Sequence, residues 1–277
     1  MTKRTFDGKT VVVTGAAGGL GRSLCRRFAA AGARVAALDR DPQGLQALAR
    51  DMESAGHRVV TQVCDVTDAL ACERTMRAIH DELGPIAALV NNAGIAHRSA
   101  FAQTRLEVIR RVMDVNFFGA VNCTHAALAD LRASRGMVIA ISSVAGFSPL
   151  IGRTGYAASK HALHGFFDSL RTELSDDGVD VMLVCPSFIA TGIDRAALSG
   201  DGQTATRPRQ TTGTALAPDH AAQAIFDAAS RGRQLLLLGA TARMAWWIAR
   251  CSPRVYAALM QRRLRSEISV TTPPRGS

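Results

Sequence analysis

Aromatic residues make up only 5% of this 277-residue chain, and no stretch interleaves them with lysines. That excludes the stacking platform by which single-stranded nucleic acid is held, and no nucleic-acid partner is expected. Cysteines are six, at 25, 64, 72, 123, 185 and 251, with no C-x-x-C pair. Their scatter argues against a disulfide framework or a zinc site and fits a reducing cytoplasm. No cluster of His, Cys and acids points to another metal, so none is expected. Uninterrupted apolar runs fall short of the roughly 18 residues that span a bilayer. Residues 1–10 carry no apolar h-region, so no secretory signal is expected, and the expected localisation is cytoplasmic.

Acids are outnumbered, 23 against 33 basic residues, for a net charge of +10. The excess is concentrated near the end: from Ala240 on there are seven arginines (243, 250, 254, 262, 263, 265 and 275) and one acid, Glu267. Such a tail could address nucleic acid, an anionic membrane surface or an acidic substrate, or reflect composition alone. Met244, Trp247, Ile248 and Cys251 share one helical face there, and Val255, Tyr256, Leu259 and Met260 follow after Ser252-Pro253. Two short amphipathic helices of this kind resemble an interfacial element. Covering a pocket or contacting another subunit is an equal alternative.

What the chain has is ordinary for a soluble globular protein: 47% hydrophobic and 20% charged residues. Short apolar, β-branched runs alternate with helical patterns. The runs are 10–14, 34–38, 58–64, 87–91, 137–142, 179–185 and 234–238. The helical stretches are 20–31, 43–55, 69–83, 105–133, 155–175 and 218–231. This alternation predicts an α/β fold: one Rossmann-type, doubly wound domain with a seven-stranded parallel sheet flanked by helices. Residues 1–240 form the expected dinucleotide-binding catalytic domain. Residues 241–277 form a C-terminal amphipathic, basic extension that is not an independent domain. The loop-like stretch Ser199–Gly213 reads as a lid.

Thr14-Gly15-Ala16-Ala17-Gly18-Gly19-Leu20-Gly21 follows the first run and opens the first helix. Glycines there permit positive φ and close approach of backbone to a pyrophosphate. The helix start supplies free N–H groups and a positive dipole end. Gly15, Ala17, Gly19, Leu20 and Gly21 are therefore candidate cofactor contacts. Asp39 ends the second run, where a carboxylate would hold the adenosine ribose and repel a 2′-phosphate. That favours NAD. Arg40 could partly neutralise Asp39 and keeps NADP as the minority alternative. Asp65-Val66 ends the third run and is placed for the adenine. Helix capping is the plain alternative for both aspartates.

Tyr156 and Lys160 lie four apart, on one helix face. A neighbouring ammonium favours the phenolate and lowers a pKa that is ordinarily near 10. A tyrosine tuned this way can act as a general acid or base. Ser143 adds a hydroxyl for the reacting oxygen. A tyrosine and a lysine one turn apart also occur on solvated helices, so the pair alone is weak.

Together these residues resemble the short-chain dehydrogenase/reductase family across about residues 8–240. The resemblance rests on Thr14-Gly-x3-Gly-x-Gly21, Asp65, Asn91-Asn92-Ala93-Gly94, Asn116, Ser143, Tyr156-x3-Lys160 and Pro186-x4-Thr191. It implies four catalytic residues. Tyr156 exchanges the hydroxyl proton, Lys160 lowers its pKa and holds the nicotinamide ribose, Ser143 polarises the substrate oxygen, and Asn116 holds a relay water. It implies further cofactor contacts at Asn92, Ala93, Gly94, Pro186, Ile189 and Thr191, with Asn91 beside the ribose. Where the family usually has Pro-Gly, this chain has Pro186-Ser187, which leaves substrate size open. Substrate-facing candidates are Ser143, Val144, Phe147, Ile151, Tyr156, Phe188 and Ile193, with His97 at the mouth and His161 and His164 pointing away. The expected activity is NAD(H)-dependent interconversion of an apolar secondary alcohol and a ketone. An NADPH-dependent keto or acyl reductase and a non-catalytic dinucleotide sensor are the alternatives. A small-molecule partner, a homodimer or homotetramer, and peripheral membrane contact through the tail complete the expectations.

Overall fold

A computed structural model describes residues 3–192, 196–205 and 215–268, with backbone only from 263 to 268. Seven strands form one parallel sheet in the order β3-β2-β1-β4-β5-β6-β7. They are β1 Thr10–Thr14, β2 Arg34–Asp39, β3 Val59–Val63, β4 Ile86–Asn91, β5 Met137–Ile141, β6 Asp180–Pro186 and β7 Leu235–Leu238. The three central strands β1, β4 and β5 are buried along their whole length. Both faces of a parallel sheet are covered, which is why these strands read as unbroken apolar runs. Successive residues of β1 feed opposite layers. Val11 and Val13 join Leu24 and Phe28 of α1 (Gly19–Ala29), Met52 of α2 (Pro42–Ser54) and Ile225 of α7 (Pro218–Ser230). Val12 joins Met76 and Ile79 of α3 (Ala69–Leu83), with Leu131 and Phe167 from the helices beside it.

The stretch expected as a single helix over 105–133 is three elements: α4 Leu106–Met113, a π turn at Asp114–Phe118, and α5 Gly119–Ala133. A π turn inserts one residue and re-aims side chains without interrupting apolar periodicity, so the sequence pattern carries no mark of it. Gly119 follows the π turn because any Cβ there would lie 2.5 Å from Val66 Cγ2. The next helix, α6 Thr154–Glu173, carries Tyr156 and Lys160.

Sheet order reverses at β1, which lies between β2 and β4. In open α/β sheets the crevice at such a switch point, beyond the carboxyl ends of the strands, receives ligands. After β7 the chain continues as α8 Ala240–Cys251 and α9 Pro253–Ile268. Ala242, Ala245 and Tyr256 of these helices are buried in a small cluster with Val144.

Candidate active site

A cavity of about 600 Å³ opens at that switch point. One end is the glycine turn. Gly15 has φ +62°, and a Cβ there would stand 2.8 Å from Ala93 Cα. A Cβ on Gly21 would collide with the Gly15 carbonyl, and one on Gly19 would press on Thr191 at 3.4 Å. Gly18, which caps α1, makes no side-chain cap bond, so the first-turn N–H groups of α1 are open to an anion. Thr14 and Asn92 tie this turn to the one after β4. Thr14 Oγ1 accepts from the Asn92 and Ala93 amides at 3.0 Å, and Asn92 Nδ2 donates to the Thr14 and Gly15 carbonyls at 2.9 and 3.1 Å. Asn91 is buried, and its Nδ2 donates to Thr124 Oγ1 of α5 at 2.9 Å.

Asp39, Arg40, Asp65 and Val66 line the cavity beyond β2 and β3. Asp39 is not a helix cap: Asp41 caps α2, and Asp39 accepts from the Ala17 and Asp41 amides at 2.9 and 3.1 Å. Asp68 caps α3, while Asp65 closes a local turn on Thr67. The Thr67 amide bond is the main cause holding the Asp65 carboxyl below its ordinary pKa.

At the centre, α6 presents Tyr156 and Lys160 to the cavity opposite Ser143. Lys160 is buried, its Nζ lies 5.7 Å from the Tyr156 ring centroid, and it donates to the Ile141 carbonyl at 2.8 Å. Desolvation pushes its pKa down to about 8, with the Cys185 thiol site opposing. At neutral pH this ammonium still carries most of its charge. Ser143 Oγ accepts from the Ala145 amide at 3.1 Å, a bond that leaves its own hydrogen available. Asn116 stands in the π turn. Its Oδ1 accepts from Ile95 N at 2.8 Å, and its Nδ2 donates to Ile95 O and Ser159 Oγ, both at 3.0 Å. Ser159 in turn donates to the Tyr156 carbonyl at 2.8 Å. Gly94 keeps the junction open, since a Cβ there would lie 3.2 Å from Asn116 Oδ1 and 3.7 Å from Lys160 Nζ.

A family profile described as short chain dehydrogenase matches residues 9–201. The chain belongs to the short-chain dehydrogenase/reductase family. The curated protein "Dehydrogenase/reductase SDR family member 7B" of Rattus norvegicus is 36% identical over 274 residues, covering 96% of this chain and 84% of that one. Its Xenopus tropicalis counterpart is 33% identical, covering 93% and 86%. A short-chain dehydrogenase structure from Streptomyces avermitilis superposes with a TM-score of 0.79 at 26% identity, covering 93% of this chain and 98% of that one. An alcohol dehydrogenase from Thermococcus sibiricus, complexed with 5-hydroxy-NADP, shares the fold at 22% identity, with a TM-score of 0.72 and coverage of 83% and 95%.

This short-chain dehydrogenase/reductase is thus an oxidoreductase of the alcohol–ketone class that uses a nicotinamide dinucleotide. The cradle fits that group on its own observations: a Cβ-free glycine turn, an uncapped helix start, and Asp39 at the end of β2.

The structure places several of the singled-out residues away from the cavity wall. Ala17 is not on the cavity wall, because its side chain turns toward Gly44. His97 is fully buried against Thr104, with Nε2 at 3.2 Å from Thr104 Oγ1, and does not form the mouth. Phe147 turns from the cavity to stack edge-on against Trp246, ring centroids 4.9 Å apart. Ile151 is half-buried outside the wall. Ile193 lies outside the described residues, as does 206–213 of the expected lid. The described part, Ser199–Ala205, packs on Gln103 and Arg105 instead of lining the cavity. His161 bonds the Ala157 carbonyl at 2.9 Å, and His164 packs behind the site on Ser142 Oγ at 3.0 Å.

The tail's shared face divides. Met244 and Ile248 line the cavity, joined by Tyr256, Leu259 and Met260, whereas Trp247 is 67% exposed and Cys251 also faces out. An i, i+4 pair such as Met244 and Ile248 signals an apolar stripe but not what it faces. The sequence reading also missed Arg153 and Leu150 on the wall. Proximity to Tyr156 was the available signal for both.

Proposed function

We propose that this enzyme interconverts an apolar secondary alcohol and a ketone using NAD(H), with Tyr156 as proton carrier. The reading is carried by one arrangement: a buried lysine 5.7 Å from the ring of a cavity-facing tyrosine, within the cavity that also holds Ser143 and the glycine turn. The nicotinamide supplies the hydride acceptor or donor. Ser143 orients the substrate oxygen with its hydroxyl hydrogen. On oxidation, Tyr156 takes the hydroxyl proton as phenolate, and Lys160 stabilises that phenolate from a low-dielectric site. Asn116 acts as a positioning residue, holding the Ile95 backbone and, through Ser159, the start of α6. Gly15, Gly19, Leu20 and Gly21 receive the pyrophosphate. Asp65 and Val66 flank the adenine, and Asn92, Ala93, Gly94, Pro186, Ile189 and Thr191 enclose the nicotinamide riboside. Val144 and Phe188 contact the substrate body.

Asp39 supports NAD over NADP because a carboxylate on the wall accepts from ribose hydroxyls and repels a phosphate. Arg40, also on the wall, favours the NADP alternative. In a cofactor titration by fluorescence, D39A is expected to weaken NAD binding roughly ten-fold or more, the worth of hydrogen bonds to a charged group. NADP binding should not fall. Tighter binding of NADP than NAD by the unaltered protein overturns the assignment.

The inner side of α8 and α9 closes the cavity, and the outer side supports peripheral contact with an anionic membrane. Trp247 and Val255 are exposed there beside Arg243, Arg250 and Arg254. No helix among the described residues is long and apolar enough to cross a membrane. Removing the tail would also remove cavity wall, so point variants are the cleaner test. The unaltered protein should co-sediment with vesicles containing phosphatidylserine, and a W247A/R243A/R250A variant should lose most of that binding. Absence of binding by the unaltered protein excludes the contact. Homodimeric or homotetrameric assembly, usual in the family, is part of the same reading.

A further inference from the structure

We propose that His164 is a positioning residue: through Ser142 it clamps the α6 turn that carries Tyr156 and Lys160 to the strand end that carries Ser143. The proposal rests on the roles given above to those three residues. Ser142 and Ser143 directly follow β5, and their hydroxyls take different partners. Ser143 Oγ accepts from the Ala145 amide at 3.1 Å, whereas Ser142 Oγ donates to the Lys160 carbonyl at 3.3 Å. His164, one turn further along α6, brings its Nε2 to 3.0 Å from the same Ser142 Oγ. The Ser142 amide donates to the Val184 carbonyl of β6 at 2.8 Å, so this hydroxyl stands on a strand end that is itself fixed. Both Ser142 and Lys160 are buried, where water does not compete for these bonds.

A serine hydroxyl has a single hydrogen. With that hydrogen on the Lys160 carbonyl, the contact to His164 is a hydrogen bond only if the imidazole donates, as the Nε2–H tautomer. Both contacts are then satisfied at once, and the donor from His164 turns the Ser142 hydrogen toward Lys160. Gly146, at the end of the short turn Val144–Gly146, leaves the room for this pair. A Cβ there would lie 2.5 Å from Ser142 Oγ and 2.7 Å from His164 Nε2. The Phe147 ring packs edge-on against the imidazole, centroids 6.2 Å apart. Among these groups only Lys160 is charged at neutral pH. Burial lowers the His164 pKa to about 4, with Asp168 opposing and His161, Arg171 and, from α8, Arg250 adding to the fall. Burial likewise pushes the Cys185 thiol of β6, 3.5 Å from His164 Nε2, up to about 12, with Lys160 opposing.

Lysine titration tests this without a substrate, because the chain has only Lys3, Lys9 and Lys160, and the first two are exposed. With carbon-13 on the lysine ε-carbon, magnetic resonance should show Lys160 titrating near 8 in the unaltered protein. H164L removes the donor and keeps most of the bulk. The clamp then loosens, water reaches the ammonium, and the proton affinity of Lys160 should rise about ten-fold or more, toward that of an ordinary lysine. G146A keeps every member of the network but crowds it, and should act in the same direction. H164Q, whose side-chain amide can donate from the place of Nε2, should stay within about two-fold of the unaltered protein. A histidine that only stabilised the fold would lower the melting temperature of H164L and leave the Lys160 titration where it was. In the unaltered protein with nitrogen-15 histidine, His164, assigned by its absence from H164Q or H164L, should be the Nε2–H tautomer. An Nδ1–H tautomer overturns the proposal, whether or not H164L folds. So does a Lys160 titration unchanged in H164L or in G146A, or one that moves as far in H164Q as in H164L. A failure of the proton-carrier reading shows separately, as normal turnover by Y156F with these Lys160 responses intact.

Discussion

Y156F should lose turnover by about 10²- to 10⁴-fold, the span that a positioned acid or base contributes. Its affinity for the dinucleotide should stay within a few-fold of the unaltered protein. The substitution removes one hydroxyl and keeps the ring, which packs in part against Val108 and Val112 of α4 and Leu198. The glycine turn, Asp39 and Lys160 are untouched. The split between lost catalysis and kept binding separates a proton carrier from a structural tyrosine. Steady-state assays of reduced nicotinamide, paired with equilibrium cofactor binding, measure it. Near-normal turnover would sink the assignment of Tyr156.

K160M should lose about as much, with a different pH signature. Lys160 titrates near 8, lowered from its ordinary 10.5 by desolvation. In the proposed reaction Tyr156 acts as the phenolate in alcohol oxidation, and an ammonium beside a phenol favours that form. A phenol with no such neighbour ionises near 10. Residual activity of K160M should therefore climb about ten-fold per pH unit up to about pH 10. The unaltered enzyme needs no such climb, and raising pH through about 8 withdraws the charge that helps it. The Ile141 carbonyl, which accepts from Lys160 Nζ at 2.8 Å, loses that partner in K160M, so thermal stability should be measured alongside. Parallel pH profiles for the two proteins would contradict an electrostatic role for Lys160.

Much of this site is legible in the sequence because its chemistry is local. Gly15–Gly21 and Tyr156–Lys160 are short spacings on one turn and one helix. The strands were readable because both faces of a parallel sheet are buried, which leaves unbroken apolar runs. Three kinds of feature were not readable. The π turn at Asp114–Phe118 preserves periodicity while re-aiming Asn116. Residues beside the motifs diverge in space. Phe147 turns to Trp246 and His97 to Thr104, because side-chain direction is settled by partners outside the motifs. The covering helices were ambiguous as well: Met244 and Ile248 form an apolar stripe, and only tertiary structure shows that it faces the cavity. Arg153 escaped notice for the opposite reason. An arginine in an arginine-rich chain does not stand out by type, and its place three residues before Tyr156 gains meaning only once its burial is known.

The most direct measurement is isotope transfer. A panel of apolar secondary alcohols carrying deuterium on the carbinol carbon is incubated with the protein and oxidised dinucleotide. The reduced cofactor is then examined by mass spectrometry. Hydride transfer with Tyr156 taking only the hydroxyl proton predicts one deuterium in the reduced nicotinamide for each ketone formed, and product from Y156F slowed by about 10²- to 10⁴-fold. Reduced cofactor without the label, or labelled product at normal rate from Y156F, would contradict it.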